Sequence, residues 1–308
     1  VSQEAAAAVN APSPGVLKRV NRLVAQLRLR EALLMTGFSL VAGLLGVQRL
    51  TVGTVADLVS LAVCLAVVSV SVYAINAWAG WREDVNDPKF SDRTMGDGDR
   101  LRRDLGRVSL ALLVVASIAW ALLLGRTAVA VVPMWLLWFA YSHPRGLKRI
   151  PLGGTVIHLA AGPWIVLVPY SVFREIDGRG VVYAIAVTLA FGSGHLNHEL
   201  VDRLADAASG VRTTAVTFGT RVVHLAGSLL AGGAYLAVVV GAWLGQVSTM
   251  EAIPFLVAGL AHGILALHAG RSGMTPERAV RYRTRYRLIF AAAMGAAILA
   301  HGLALARA

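Results

Sequence analysis

Ten of the chain's 17 carboxylates fall in two short segments, seven between Glu83 and Asp104 and three between Glu199 and Asp206. Each segment follows a long apolar run in a sequence that is otherwise greasy and basic. Asp202 and Asp206 are four residues apart, so on a helix their carboxylates share one face, a turn from each other. Like charges so placed repel, and two readings follow. Either the pair is a solvated helix end with Arg203 as counter-ion, or it holds a cation. Hard oxygen ligands one turn apart suit Mg2+, which takes one or two carboxylates together with phosphate oxygens and retained water. In the first cluster Asn76, Gly80 and Asp84 form an i, i+4, i+8 stripe shortly before Pro88, a residue that stops helices. Two acidic helix ends meeting across a bundle would chelate a diphosphate through Mg2+.

The elements that position these groups follow from composition. Of the 308 residues, 56% are hydrophobic and only 15% charged, with a mean hydropathy of +0.65, whereas ordinary soluble domains carry about 25% charge. The fold class is all-α, a polytopic membrane protein. A helical span needs roughly 20 apolar residues, and breaking the chain at its charged stretches predicts nine spans. They lie at about 32–48, 55–81, 108–125, 127–142, 153–173, 181–198, 222–247, 252–270 and 288–306, arranged around a central cavity. Cytoplasmic loops accumulate Lys and Arg. With the N-terminus inside, 24 of the 29 basic residues fall on the cytoplasmic side, which predicts a multi-pass protein of the cell (inner) membrane with the C-terminus outside. Both acidic clusters are then cytoplasmic. The net charge of +12 reads as topology and attraction to anionic membrane lipids, not nucleic-acid binding. Residues 1–16 read as a flexible cytoplasmic tail rather than a signal peptide, and 17–308 as one transmembrane domain. The single cysteine, Cys64, lies within a span and reads as packing.

The run from Val201 to Gly219 resembles the second signature of the UbiA superfamily of intramembrane prenyltransferases: an Asp-x-x-x-Asp pair (Asp202, Asp206), Gly210 four residues on, then Thr213, then an apolar-Gly ending at Phe218-Gly219. Asn76 to Pro88 is similar to the first signature, Asn-Asp-x-x-Asp-x-x-x-Asp, but Ala77 and Gly80 replace its first two aspartates and only Asn76 and Asp84 remain. The loop from Tyr141-Ser142 through Pro144 and Arg145 to Lys148-Arg149 resembles the Tyr-Ser, Pro, basic loop after the family's fourth helix. The resemblance implies an Mg2+-dependent enzyme acting on an isoprenyl diphosphate. Asp202 and Asp206 would hold one ion and Asn76 with Asp84 another, with these four as the catalytic residues. Arg93, Arg145 and Lys148 would contact phosphate, or else only lipid head groups as positive-inside residues do.

Ionisation of such a substrate leaves an allylic cation, which aromatic faces stabilise without quenching. Trp78 beside the first site is a candidate, as are Trp81, Trp138, Phe139, Tyr141, Trp164 and Tyr170; the same rings also read as packing or interfacial anchors. Gly162-Pro163 and Gly192-Ser193-Gly194 are expected to break their helices and widen the cavity. The stretch His195-Leu196-Asn197-His198-Glu199 reads as polar lining of the diphosphate site, with Asn197 and His198 in contact with substrate, in preference to a zinc site. His158, His262, His268 and His301 read as hydrogen-bonded structural histidines, although His158 could reach a cavity. The functions implied are prenyl transfer to an aromatic or other nucleophilic small-molecule acceptor, or cyclisation of the diphosphate to a terpene. A transporter is the third reading, against which acids at span ends rather than mid-span count.

Overall fold

The structure is a computed structural model and describes residues 15–81, 98–143 and 145–307. All regular structure among the described residues is helical, as a bilayer core without water demands of open-chain backbone. In chain order the α-helices are α1 (Val16–Gln26), α2 (Leu29–Gly46), α3 (Val52–Ala79), α4 (Gly98–Leu124), α5 (Val131–Ser142), α6 (Gly153–Phe173), α7 (Gly178–Ala208), α8 (Thr214–Trp243), α9 (Thr249–Ser272) and α10 (Pro276–Arg307). Eight of them, α2–α4 and α6–α10, are long and apolar enough to cross a membrane.

The predicted fourth span is a composite. Residues Gly125–Ala130 form a 3-10 helix that leads into the 12-residue α5. At about 2.0 Å per 3-10 residue and 1.5 Å per α residue, the two together have a contour length of about 30 Å. That matches the hydrocarbon thickness, which α5 alone does not reach. The nine predicted spans are thus eight full helices and one stretched, mixed element.

Sequence neighbours pack side by side, and the ring closes where α10 returns to α2. There the Val47 carbonyl accepts a hydrogen bond from His301 Nε2 at 2.9 Å. One core cluster, with Tyr170, Tyr183, Tyr235, Phe255 and Phe290, joins α2 to α6–α10; a second, with Trp120 and Trp135, joins α3, α4 and α5. Ser71 and Ser109 hydrogen-bond each other's carbonyls at 2.7 and 2.8 Å, and Trp135 Nε1 donates to Ser71 Oγ at 3.0 Å. Three helices are so stitched together without leaving a polar group bare in the apolar layer.

Two sequence expectations change here. Helices α6 and α7 run unbroken through Gly162-Pro163 and Gly192–Gly194. The glycines do not break these helices; they let them approach. A Cβ added at Gly162 would meet Thr188 Cα at 2.6 Å, and one at Gly192 would meet Leu159 Cδ2 at 2.7 Å, so the missing side chains let α6 and α7 touch. Second, α10 begins at Pro276, well before the expected 288. The arginine-rich stretch is its first turns, and Ala279, Tyr282 and Tyr286 bury the inward face of that extension.

Helix α1 lies along one end of the bundle. Its Leu23, and Leu27 just past its end, pack on Ala77, Trp81, Leu101 and Leu105 at the junction of α3 and α4, while Val20 and Val24 stay exposed.

Candidate active site

Helix α7 has 31 residues, about 46 Å at 1.5 Å per residue, which exceeds the ~30 Å hydrocarbon core. The excess is about ten residues, and Asp202 and Asp206 ride on its C-terminal turns. The condition set by the sequence, that the helix continue far enough for both carboxylates to share a face, is met: α7 ends only at Ala208. It then stops abruptly. Gly210 takes φ +71°, the left-handed closure that favours glycine, and its amide and that of Val211 bond back to the Ala207 and Asp206 carbonyls.

Past this turn α8 starts at Thr214 and is interrupted at Gly219, whose φ 79°, ψ 169° lies in a region essentially closed to residues with a Cβ. The short stub Thr214–Phe218 is held by Glu199. Its Oε2 accepts the Ala215 amide at 3.0 Å and its Oε1 accepts the Thr214 hydroxyl at 3.1 Å, while Thr214 Oγ1 accepts the Leu152 amide at 3.1 Å. A carboxylate at a helix N-terminus is favoured by the exposed amides and the helix dipole. Glu199 is thus a clasp that fixes the loop before α6 and the start of α8 onto α7. Lys148, in that loop, and Asp202 both lie within electrostatic reach of Asp206.

His198 Nδ1 lies 3.1 Å from Asp202 Oδ2 and 3.1 Å from Arg283 Nη1. Arg283, on the helical extension of α10, is a charge that the sequence reading did not select. Its only sequence signal is the spacing of Ala279, Tyr282 and Tyr286, which turns a presumed loop into a helix with Arg283 on a neighbouring face. Asn197 goes elsewhere: on α7 it is about 140° from Asp202, fully buried, and faces Gly227 of α8.

Beneath the acid pair is a nest of rings. Tyr141 and Trp138 of α5, His158 of α6, and Phe191 and His195 of α7 contact one another at centroid distances of 4.1–6.0 Å. Tyr141 also lies within electrostatic reach of Glu199, Asp206 and Asp202, so it forms the roof between rings and acids.

On the other side of the bundle, α3 ends at Ala79 with Gly80 as its C-cap. The continuous helix that the sequence reading assumed through Gly80 stops there. Asp84, Glu83, Asp87 and Arg93 lie outside the described residues. Asn76 is half-buried in the last turn, and Ala77, where the first signature has an aspartate, is fully buried against Trp81, Leu101 and Leu105. Trp78 is walled in: Arg102 stands over its ring at 5.3 Å and bonds its carbonyl at 3.2 Å, and Phe139 stacks on it at 6.5 Å. Arg145 is exposed. Of the other histidines, His262 pairs with the Tyr282 hydroxyl at 2.7 Å, as expected of a structural residue, whereas His268 is exposed on α9 rather than buried. No group of three or more His, Cys, Asp or Glu side chains poised for a metal occurs among the described residues.

A model of the UbiA prenyltransferase family matches residues 32–286. The chain belongs to the UbiA prenyltransferase family. The match takes in every helix from α2 to the basic extension of α10, and with it the acid pair, the clasp and the ring nest. Solved structures agree in fold. A digeranylgeranylglyceryl phosphate synthase superposes with a TM-score of 0.73 at 13% identity, over 92% of this chain and 98% of that one. A UbiA homologue from Archaeoglobus fulgidus bound to GPP and Mg2+ gives 0.69 at 13% identity over 90% and 99%. A UbiA homologue from Aeropyrum pernix K1 gives 0.64 at 15% over 91% and 99%. No curated protein matches the sequence. With this fold and its apolar helices, the UbiA-family chain is a multi-pass membrane protein.

Proposed function

We propose that this protein is a membrane-embedded, Mg2+-dependent enzyme that ionises an isoprenyl diphosphate and transfers the prenyl group to an aromatic or other nucleophilic acceptor. The observation that carries the reading is the pair Asp202 and Asp206, one turn apart on a helix end that Gly210 terminates and Glu199 clasps. Family membership and a structural relative bound to GPP and Mg2+ support it.

The donor set fits the ion. Each ion would have two side chains with hard oxygen donors, a carboxylate pair at one site and an amide with a carboxylate at the other, too few to fill an octahedron, which suits Mg2+ completed by water and phosphate. Asp202 and Asp206 would hold one ion; Asn76, with Asp84 beyond the described residues, would hold the other. Bound there, Mg2+ supplies neutralisation of the charge that develops on the departing pyrophosphate. Lys148 and Arg283 add positive charge at the same end of α7, and Arg93 and Arg145 are further candidates for phosphate contact. Tyr141, Trp138 and Phe191 offer ring faces to the allylic cation and keep water from it. In this reading the active-site end is cytoplasmic.

One observation favours cyclisation to a terpene instead. Ala77 and Gly80 replace two acids of the first signature, and Ala77 is packing rather than lining, so the first site is built differently from one that serves an acceptor. The test is to incubate purified protein with allylic diphosphates of ten to twenty carbons and Mg2+, without acceptor. A transferase releases pyrophosphate slowly and makes no cyclic hydrocarbon; a cyclase makes it at full rate. No pyrophosphate release from any of them, with or without added acceptors, removes both readings.

A further inference from the structure

The ring nest contains a base. We propose that His158 Nε2 is the proton acceptor of the reaction, taking the proton that leaves when the allylic cation is consumed; this rests on the diphosphate-ionising reading above. The Gly154 carbonyl lies 2.8 Å from His158 Nδ1. A carbonyl only accepts, so Nδ1 carries the hydrogen and Nε2 of the neutral ring carries a bare lone pair. That nitrogen has no hydrogen-bond partner among the described residues, and the residue keeps partial exposure although Trp138, Tyr141, Phe191 and His195 surround it.

The surroundings suit a proton that must be held and not stabilised as a fixed charge from the start. His195 stacks on His158 at 4.1 Å with an interplanar angle of 18°, and Trp138 and Tyr141 flank it at 5.2 Å. Trp138 and Tyr141 meet the imidazole at 87° and 83°, edge to face, so the neutral ring is held in a fixed orientation before the proton arrives. The titratable groups that face it are Tyr141 from α5 and His195 from α7. His195 Nε2 in turn lies 3.0 Å from the Glu199 carboxylate, and His198 stands farther out on α7. His195 is seven residues from Asp202 on one helix, about 10 Å along the axis. The base therefore sits below the acid pair at the depth where the first carbons of a prenyl chain would lie.

The chemistry balances without an oxidant. The carbon–oxygen bond to the diphosphate breaks and its electron pair leaves with pyrophosphate. With an acceptor, its lone pair or a ring π pair forms the new bond, the bond from hydrogen to the attacking atom breaks, and that proton passes to Nε2. Without one, a C–H bond beside the cation breaks, its electrons close a double bond, and the same nitrogen takes the proton.

The experiment uses full-length protein in detergent with geranyl diphosphate and Mg2+ and no acceptor, comparing wild type with His158→Phe, which keeps the stacked ring, and His158→Gln, which keeps a donor for Gly154. Monodispersity and Tm establish that each variant is folded. Pyrophosphate release and the ratio of olefin to water-captured alcohol are measured together. The proposal expects olefin from wild type and at least a tenfold fall in olefin per pyrophosphate released in both variants. An unchanged ratio in either folded variant overturns it, as does a wild type that releases pyrophosphate but yields only alcohol. Should geranyl diphosphate give no pyrophosphate, the longer allylic diphosphates up to twenty carbons are used in its place, with and without added acceptors; no release from any of them removes the underlying reading, and the base falls with it.

Discussion

The two ends of the bundle treat their acids differently. At the end opposite the acid pair, carboxylates are consumed by the chain's own donors. Asp177 accepts the Gly180 amide at 3.0 Å, the Tyr170 hydroxyl at 2.8 Å and Arg174 Nε at 2.8 Å. Glu251 caps α9 through Ser248 and pairs with Arg179. These acids hold helix starts in place. At the other end Asp202 and Asp206 stand a turn apart on the last turns of α7, near Lys148, His198 and Arg283 but with like charge facing like charge. Such a pair costs folding energy unless a cation lies between. Glu199 marks the boundary: three residues from Asp202, it is engaged like the acids of the far end and serves the site only by holding it in shape.

The largest effect expected from this contrast is on turnover. Asp202→Ala or Asp206→Ala lowers kcat by at least about a hundredfold, the scale of losing one group that stabilises transition-state charge, with little loss of Tm. Steady-state assays beside thermal unfolding read both. Glu251→Ala should do the reverse: it leaves Arg179 without its partner in a largely buried position and costs about 2–3 kcal/mol, seen as a lowered Tm, with turnover per folded molecule unchanged. A loss of turnover without a loss of Tm in Glu251→Ala would break the contrast.

Gly219→Ala tests the clasp. Forcing a Cβ into φ 79°, ψ 169° costs about 1–3 kcal/mol and displaces the stub that Glu199 holds, so both Tm and activity fall. The smallest effect is at Asp177. Partial burial works against its ionisation, but the Gly180 amide, the Tyr170 hydroxyl and Arg174 hold its pKa below the usual carboxylate value. A depressed folded pKa gives stability that is complete above the unfolded value of about 3.9 and lost as pH falls through the lower folded one. Asp177→Ala should therefore cost about 1 kcal/mol at pH 7, and the difference from wild type should shrink below pH ~4.

The sequence carried the span pattern because bilayer thickness writes itself into apolar run length. It also carried the acid pair, because i, i+4 spacing needs only a continuing helix. Long-range partners left no such trace. Nothing local to Glu199 says that Thr214 and Ala215 will return to it, and nothing at His198 names Arg283, some 85 positions away. Gly162 and Gly192 were misread for a physical reason: glycine permits both a broken helix and a close approach, and only the neighbours Thr188 and Leu159 decide which. Asn197 was misplaced although its wheel angle was available, because a run of polar residues was treated as one surface. The signature around Asp84 stays a sequence expectation, since the described residues end at Trp81 and resume at Gly98.

The central claim is that Asp202 and Asp206 bind a divalent cation together with a diphosphate. Its most direct measurement is Mn2+ binding by electron paramagnetic resonance, on purified wild type and the Asp202→Asn and Asp206→Asn variants, with and without a non-ionisable prenyl thiolodiphosphate. The account predicts Mn2+ binding to wild type that the analogue strengthens at least tenfold, with that strengthening lost in each variant. Equal binding by wild type and both variants, with or without the analogue, would contradict it.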